Sequence, residues 1–496
     1  MLLRCSVAPR AGWSVLAAAL LAGCTTVGPD FKTPAAPTAT GYTAAALPAA
    51  TASAPGALGP AQRLVEGGTV ESSWWTAFGS PSLDALVQQA LHNSPTLEAA
   101  SATLRQAQET YRAQAGSTLY PTVNAKLGAS RNAISPSSQG IDSSNGKIFN
   151  LYNAGIAVNY NLDLFGGNRR ALEALAAQAD YQAYQLAGAR LSLAGNVVTT
   201  AFAQAQLAAQ IEATEAIAKA QADELDITRK RERLGAASRV EVLSLQTQYE
   251  QTLANLPPLR NKLQQADHLL ALLVGEAPAQ ANIPRFTLAD FHLPPQLPVV
   301  VPSELVRQRP DVQASTALLH AATAQYGVAV SNLYPQINLS AGLGSQALTT
   351  GALFGPGTLI WNLAGQLAQP LFNAGLHAGA NAAQANLQAA GANYRQTVLQ
   401  ALRNVADALR QLDNDAQTLR AQAAADDAAQ QSLQLVERQY HLGAASYLQL
   451  LTAQQQAQSA RIGLLAAQAA RLADSAALYQ AMGGGALSDK PAAQAS

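Results

Sequence analysis

Sulfur and charge are both scarce in this chain. Only two of its 496 residues are cysteines, Cys5 and Cys24, and both lie near the start. Charged residues are 12% of the chain, about half the usual share. Acids and bases balance at 31 each, and a net charge of zero gives no footing for nucleic-acid binding. The six histidines, at 92, 268, 292, 320, 377 and 441, show no metal-ligand spacing. Gly342-x-Gly344 lies inside an alternating strand and is not a phosphate loop. Asp426-Asp427 reads as a solvated helix face. No active site, metal or cofactor is expected. Proline is missing too, from Pro136 to Pro257 and again from Pro370 to Pro491.

Those proline-free stretches hold the dominant feature. Asn168 to Leu234 is a run of Ala, Gln, Leu, Glu and Arg, all strong helix formers. At ~1.5 Å per residue it makes a rod of roughly 100 Å. A helix that long cannot hide its apolar stripe within its own domain, so it needs neighbouring helices. Leu376 to Leu442 is a second such rod. Both end alike, in Leu234-Gly235-Ala236-Ala237-Ser238 and Leu442-Gly443-Ala444-Ala445-Ser446, 208 residues apart. Leu164-Phe165 pairs with Leu371-Phe372, and Leu119-Tyr120-Pro121 with Leu333-Tyr334-Pro335. One duplicated unit therefore fills most of the chain.

The N-terminus reads as a targeting segment at 1–23. Arg4 and Arg10 precede a short apolar stretch, Trp13 to Ala22, and Leu21-Ala22-Gly23-Cys24 matches the bacterial lipoprotein box. Cleavage before Cys24 would leave a lipid on its sulfur, and multiple acyl chains make a stable anchor. Thr25 after the cysteine favours sorting to the outer membrane. Residues 24–80 are expected to be an extended Ala/Thr/Pro/Gly tether.

Within each half the pattern changes from helical to a period of two. Pro81 to Ser117 and Ser303 to Asn332 are expected to be helices. In Pro121–Arg131, Val123, Ala125, Leu127 and Ala129 alternate with Thr122, Asn124, Lys126 and Gly128. A loop, Ser135 to Gly146, follows. Ile156, Val158, Tyr160 and Leu162 alternate with Gly155, Asn159, Asn161 and Asp163. The second half repeats this with Ile337, Leu339, Ala341 and Leu343, then Leu359, Trp361, Leu363 and Leu367. Each half thus supplies one hairpin, 121–163 and 335–370. Such alternation is the outer-membrane barrel signature. Four strands cannot close a barrel, and open edges are not tolerated in lipid, so several chains must share one wall. Return helices are expected at 239–274, kinked or broken at Pro257-Pro258, and at 447–482. A Pro-rich equatorial linker covers 276–302, and 486–496 reads as a disordered tail. The repeats themselves span 81–275 and 303–485.

LAGCTTVGPDF at 21–31, WWTAFGSPSLDALVQQAL at 74–91, RQRPDVQASTALLHAATAQYGVAVSNLYPQINLSAG at 307–342 and QPLFNAGL at 369–376 resemble the outer membrane factor family of the TolC type. Within it they resemble the NodT/OprM-like efflux lipoproteins. The resemblance covers essentially all of 24–485. It implies a mixed α+β membrane protein, TolC-like, with four transmembrane β-strands per chain. In a homotrimer these make a 12-stranded barrel on a long periplasmic α-helical barrel. It implies an outer membrane duct, not an enzyme, lipid-anchored at Cys24 and reaching into the periplasm. Its implied partners are a periplasmic adaptor, an inner-membrane RND-type pump and outer membrane lipid; nucleic acid is not among them.

The family likeness also assigns sites. The tips Leu234, Gly235, Ala236, Ala237, Ser238, Leu442, Gly443, Ala444, Ala445 and Ser446 would meet the adaptor, small residues letting another backbone approach. A periplasmic gate is implied at Glu241, Ser244, Tyr440, Leu448, Gln449 and Thr452. Relatives often carry Asp where this chain has Ser244 and Thr452, and some carry it also where this chain has Gln449. The gate is therefore expected to rely on Tyr440, Gln449 and apolar packing, with Glu241 as the nearby acid. Other readings of the same architecture are a duct for metal efflux or type I secretion, and a pore-less periplasmic rod. A rod would need no hairpins.

Overall fold

The computed structural model describes residues 26–39, 41–134 and 147–486. The signal segment, Cys24, the loop at 135–146 and the tail at 487–496 lie outside the described residues; Ala486 is in a turn. In chain order the elements are β1 (Arg63–Glu66), α1 (Pro81–Asn93), α2 (Pro95–Thr118), β2 (Thr122–Ile134), β3 (Lys147–Leu162), α3 (Gly167–Arg233) and α4 (Arg239–Leu273). There follow β4 (Gln296–Val299), α5 (Pro302–Gln308), α6 (Pro310–Ser331), β5 (Gln336–Ala347), β6 (Leu359–Ala368), α7 (Ala374–His441) and α8 (Tyr447–Ala481). The order from α1 to α4 recurs from α5 to α8, so the fold is a duplicated α+β unit with two very long helices, α3 and α7.

The helix expected over Pro81 to Ser117 is two helices. Ser94 is extended, ψ 120°, before Pro95, because the ring of a proline drives the preceding residue out of the α region. Arg309 does the same before Pro310, ψ 124°. Conversely, Pro257 and Pro258 do not break α4, which is continuous over its 35 residues. Proline removes backbone bonds to the preceding turn, but buried Thr252 and Leu256 hold that turn in place. The hairpin arms outrun the expected strands: β2 and β3 stay paired out to Ile134–Lys147, past the end of β5 at Ala347.

The chain divides into two compact units. One, Met1–Pro34, Thr103–Gln182 and Ser315–Tyr394, contains an antiparallel four-stranded sheet in the order β2-β3-β5-β6. The other, Ala35–Ala102, Ala183–Ala314 and Arg395–Ser496, contains the main hydrophobic core. There a 3-10 turn at Trp74–Phe78 buries all three of its aromatics. Trp74 stacks on Tyr479 at 5.6 Å, Phe78 meets Phe202 edge-on at 5.0 Å, and Phe202 meets Phe291 at 4.8 Å. Along α7 the buried Val398, Val405, Leu412 and Leu419 recur every seven residues, the seam of a helix packed lengthwise on others.

Much of the expected tether is part of that core. Leu58 and Val70 are buried, and β1 pairs in parallel with β4 of the linker. Arg471 of α8 is fully buried; its Nη2 donates to Thr51 Oγ1, the Pro60 carbonyl and Gln62 Oε1. Gln62 Nε2 donates onward to the Pro294 carbonyl at 3.1 Å and Ser475 Oγ at 3.0 Å. A segment with buried apolar groups and a fully bonded glutamine cannot stay loose, since undocking would expose both. Residues 51–70 are a strap, not a spacer.

Candidate channel wall, helix tips and anchor

The sheet sorts its side chains by face. Val123, Val158, Ala341 and Leu363 stand in register across its strands, as do Ala125, Ile156, Leu343 and Trp361. On the opposite face Asn124, Ala157, Gly342 and Asn362 align, and so do Asn161, Asn338 and Gln366. The apolar face is uncovered: Leu127 is 86% exposed, Leu363 76% and Trp361 75%. Strands β2 and β6 are the outer strands of this sheet, each with one unpaired edge. No described helix is long and apolar enough to cross a membrane.

Both helix turns close by the same local chemistry. Gly235 takes φ +74° and Gly443 φ +77°, a conformation that a side chain strains. Gly235 N donates to Glu232 O and Ala236 N to Arg231 O; Gly443 N donates to Tyr440 O and Ala444 N to Gln439 O. These paired bonds satisfy the last carbonyls of α3 and α7 in a Schellman turn. The next helices start with reciprocal caps. Glu241 N donates to Ser238 Oγ while Ser238 N donates to Glu241 Oε2. Gln449 N donates to Ser446 Oγ while Ser446 N donates to Gln449 Oε1. Leu234 and Leu442, both 84% exposed, cap bare tips of Gly, Ala and Ser.

Of the residues assigned to the gate, Tyr440 alone is buried. Its ring lies edge-on to Tyr447 at 6.5 Å, with the Arg231 guanidinium 5.4 Å from its centroid. Burial raises its hydroxyl pKa. Glu241 and Gln449 occupy twin positions, each turned back on its own helix start. Leu448 and Thr452 are exposed, and the Thr452 hydroxyl donates to the Leu448 carbonyl. Ser244 is half-buried.

A polar seam beside Tyr440 was not anticipated from sequence. Gln221 and Thr228 of α3 are buried, and Glu224 lies between them, its carboxyl pushed up by burial. Burial also raises Glu437, with His441 opposing. Tyr447 is pushed up to about 12 by burial. The amide of Gln221, Glu224 Oε1, the Tyr447 hydroxyl and Gln454 Oε1 are buried without hydrogen-bond partners. The signal was present in sequence as polar residues at helical spacing, 221, 224 and 228, which ordinarily mark a solvated face.

Where the described chain begins, it is clamped. Val27 N donates to the Phe165 carbonyl at 3.1 Å. Arg170, 4% exposed, meets Asp30 at 2.5 Å and Glu173 at 2.7 Å. Burial opposes its charge, but these carboxylates more than offset that. Glu173 also meets His320 Nε2 at 2.8 Å, and Phe31 stacks on the His320 ring at 4.3 Å. A Cβ on Gly166 would come within 2.5 Å of the Thr26 methyl.

The model of the outer membrane efflux protein family matches residues 86–276 and 301–484, one stretch in each half. The chain belongs to the outer membrane efflux protein family. The pyoverdine export outer membrane protein OpmQ of Pseudomonas aeruginosa is 32% identical over 425 residues, 84% of this chain and 88% of that protein. The toluene efflux pump outer membrane protein TtgC of Pseudomonas putida is 29% identical over 473 residues, covering 94% and 93%. The solved outer-membrane channel OprN superposes with a TM-score of 0.83 at 26% identity, over 93% of this chain and 99% of that one. As an outer membrane efflux protein, the chain is a passive exit duct and not an enzyme. Its fold is that of the TolC-type channels.

Proposed function

We propose that this chain is the outer membrane duct of a tripartite efflux system. Three copies join edge to edge, β2 of one to β6 of the next, and close a twelve-stranded barrel. The long helices of three copies close a tunnel in the periplasm. A periplasmic adaptor docks on the two helix tips, and an inner-membrane RND-type pump supplies the energy for small toxic compounds. The names of OpmQ and TtgC, which speak of pyoverdine export and toluene efflux, support an export cargo.

One observation carries the reading: a sheet with one uncovered apolar face, one polar face and two open edges. In lipid an open edge leaves backbone groups unsatisfied, and closure by identical copies removes it. Cys24 carries the lipid that anchors the chain. The Schellman turns support docking at the tips, because they leave small side chains and bare backbone outermost. The gate rests on Tyr440, Tyr447 and Arg231, with Glu241 and Gln449 fixing the helix starts beside them.

The test is reconstitution of the purified protein in planar bilayers, with native mass spectrometry alongside. Unit currents from a trimer are expected, and deletion of the gene should raise drug accumulation in the cell. A current-free monomer would overturn the reading. Cys24→Ala should abolish incorporation of labelled fatty acid.

A further inference from the structure

We propose that Lys126 sets the charge preference of the duct: three copies, one per subunit, ring the barrel lumen and make that section favour anionic solutes. This rests on the trimeric-channel reading above.

Lys126 lies in β2 on the face of Asn124 and Gly128, away from Val123, Ala125 and Leu127. Its register partners across the sheet are Gly155, Gly344 and Ile360. Two of these three have no side chain, and neither could gain one cheaply. A Cβ on Gly155 would sit 2.8 Å from the Leu343 carbonyl oxygen, and one on Gly344 2.7 Å from the Ala154 carbonyl oxygen. The lysine therefore stands beside a gap that backbone packing keeps open.

The rest of that face is neutral. Asn124, Asn159, Asn161, Asn338, Asn362 and Gln366 present amides only. No Asp or Glu occurs in any of the four strands. The sheet's other cations, Arg131 and Lys147, lie where β2 and β3 have outrun β5. Lys126 is exposed and forms no ion pair among the described residues. An ammonium facing lipid at mid-strand is costly, whereas one facing a water-filled lumen is not. With no acid on the wall to cancel it, a threefold ring of ammonium groups repels cations and concentrates anions, as rings of Lys and Arg do in anion pores. The Debye length of about 10 Å at ~0.1 M salt lets that field extend well into the lumen. The chemical class favoured is a solute carrying carboxylate or a similar anionic group.

The test is the reversal potential of the reconstituted full-length protein under a KCl gradient. Lys126→Gln should lower the chloride-to-potassium permeability ratio, and Lys126→Glu should lower it further, on the order of two- to fivefold. Wild-type currents with an unchanged ratio in Lys126→Glu would overturn the proposal. An absence of wild-type currents would instead sink the channel reading beneath it. Should Lys126→Glu fail to assemble, Lys126→Cys decides. Cys5 and Cys24 are the chain's only other cysteines, the first lost with the signal and the second acylated. A membrane-impermeant sulfonate thiol reagent should then push the ratio toward potassium, and an ammonium one should restore chloride. No reaction, or no shift on reaction, would place Lys126 away from the conducting path.

Discussion

The sheet and the aromatic core follow opposite rules for apolar groups. Around Phe78 the chain buries its own aromatics completely, and Phe78, Phe202 and Phe291 are at most 1% exposed. On the sheet the apolar face is left bare, with Leu127, Trp361 and Leu363 at least 75% exposed. The same physics operates in both places: apolar area avoids water. The core meets that demand within one chain, while the sheet's apolar face finds no cover among the described residues. Within one chain the aromatic core is therefore closed and the sheet's apolar face is not.

That contrast can be broken at its strongest point first. Phe78→Ala, removing a ring packed on Trp74, Phe202 and Tyr479, should cost about 3–5 kcal/mol. The loss should appear in the helical melt followed by circular dichroism. Leu343→Arg, on the apolar face beside Ile156 and Trp361, should cost about 2–4 kcal/mol at the membrane midplane. It should reduce assembled barrel in membranes while leaving the helical melt where it was. If both variants lowered that melt equally, the two regions would not be independent.

A buried acid sharpens the comparison. Asp474 is pushed up to about 8, first by burial and then by its hydrogen bond with Asp415, and Arg471 offsets only part of this. In the unfolded chain an Asp ionises at about 4. Between those two values the folded state holds one more proton than the unfolded state, so stability falls as pH rises from about 4 to about 8. Asp474→Asn should flatten that fall, its Tm gaining on wild type at alkaline pH and converging with it toward about pH 4. The smallest effects belong at the tips. Ser238→Ala and Ser446→Ala should each cost about 1 kcal/mol, read as faster amide exchange in the first turns of α4 and α8. Glu241→Gln should change little by that measure, because Gln449 already serves the same cap in the twin turn.

How much of this was written in the residues differs from place to place. The rods were legible because long runs of strong helix formers lack proline. The strands were legible because a two-residue period survives wherever one face is apolar. The duplication was legible because Leu-Gly-Ala-Ala-Ser occurs at the end of both rods. The strap was not legible: its Ala, Thr, Pro and Gly content resembles a spacer, and its docking shows only in buried Leu58 and Val70, the β1–β4 pairing and the fully buried Arg471 reaching Thr51, Pro60 and Gln62. Nor was the seam of Gln221, Glu224 and Thr228, since composition does not say which polar face of a rod meets another helix. Local sequence determined the elements and their faces, because period and propensity act over a few neighbours. Contacts between residues hundreds of positions apart decided which polar groups were buried and which loose-looking stretch was held, and those exist only once the chain has folded back on itself.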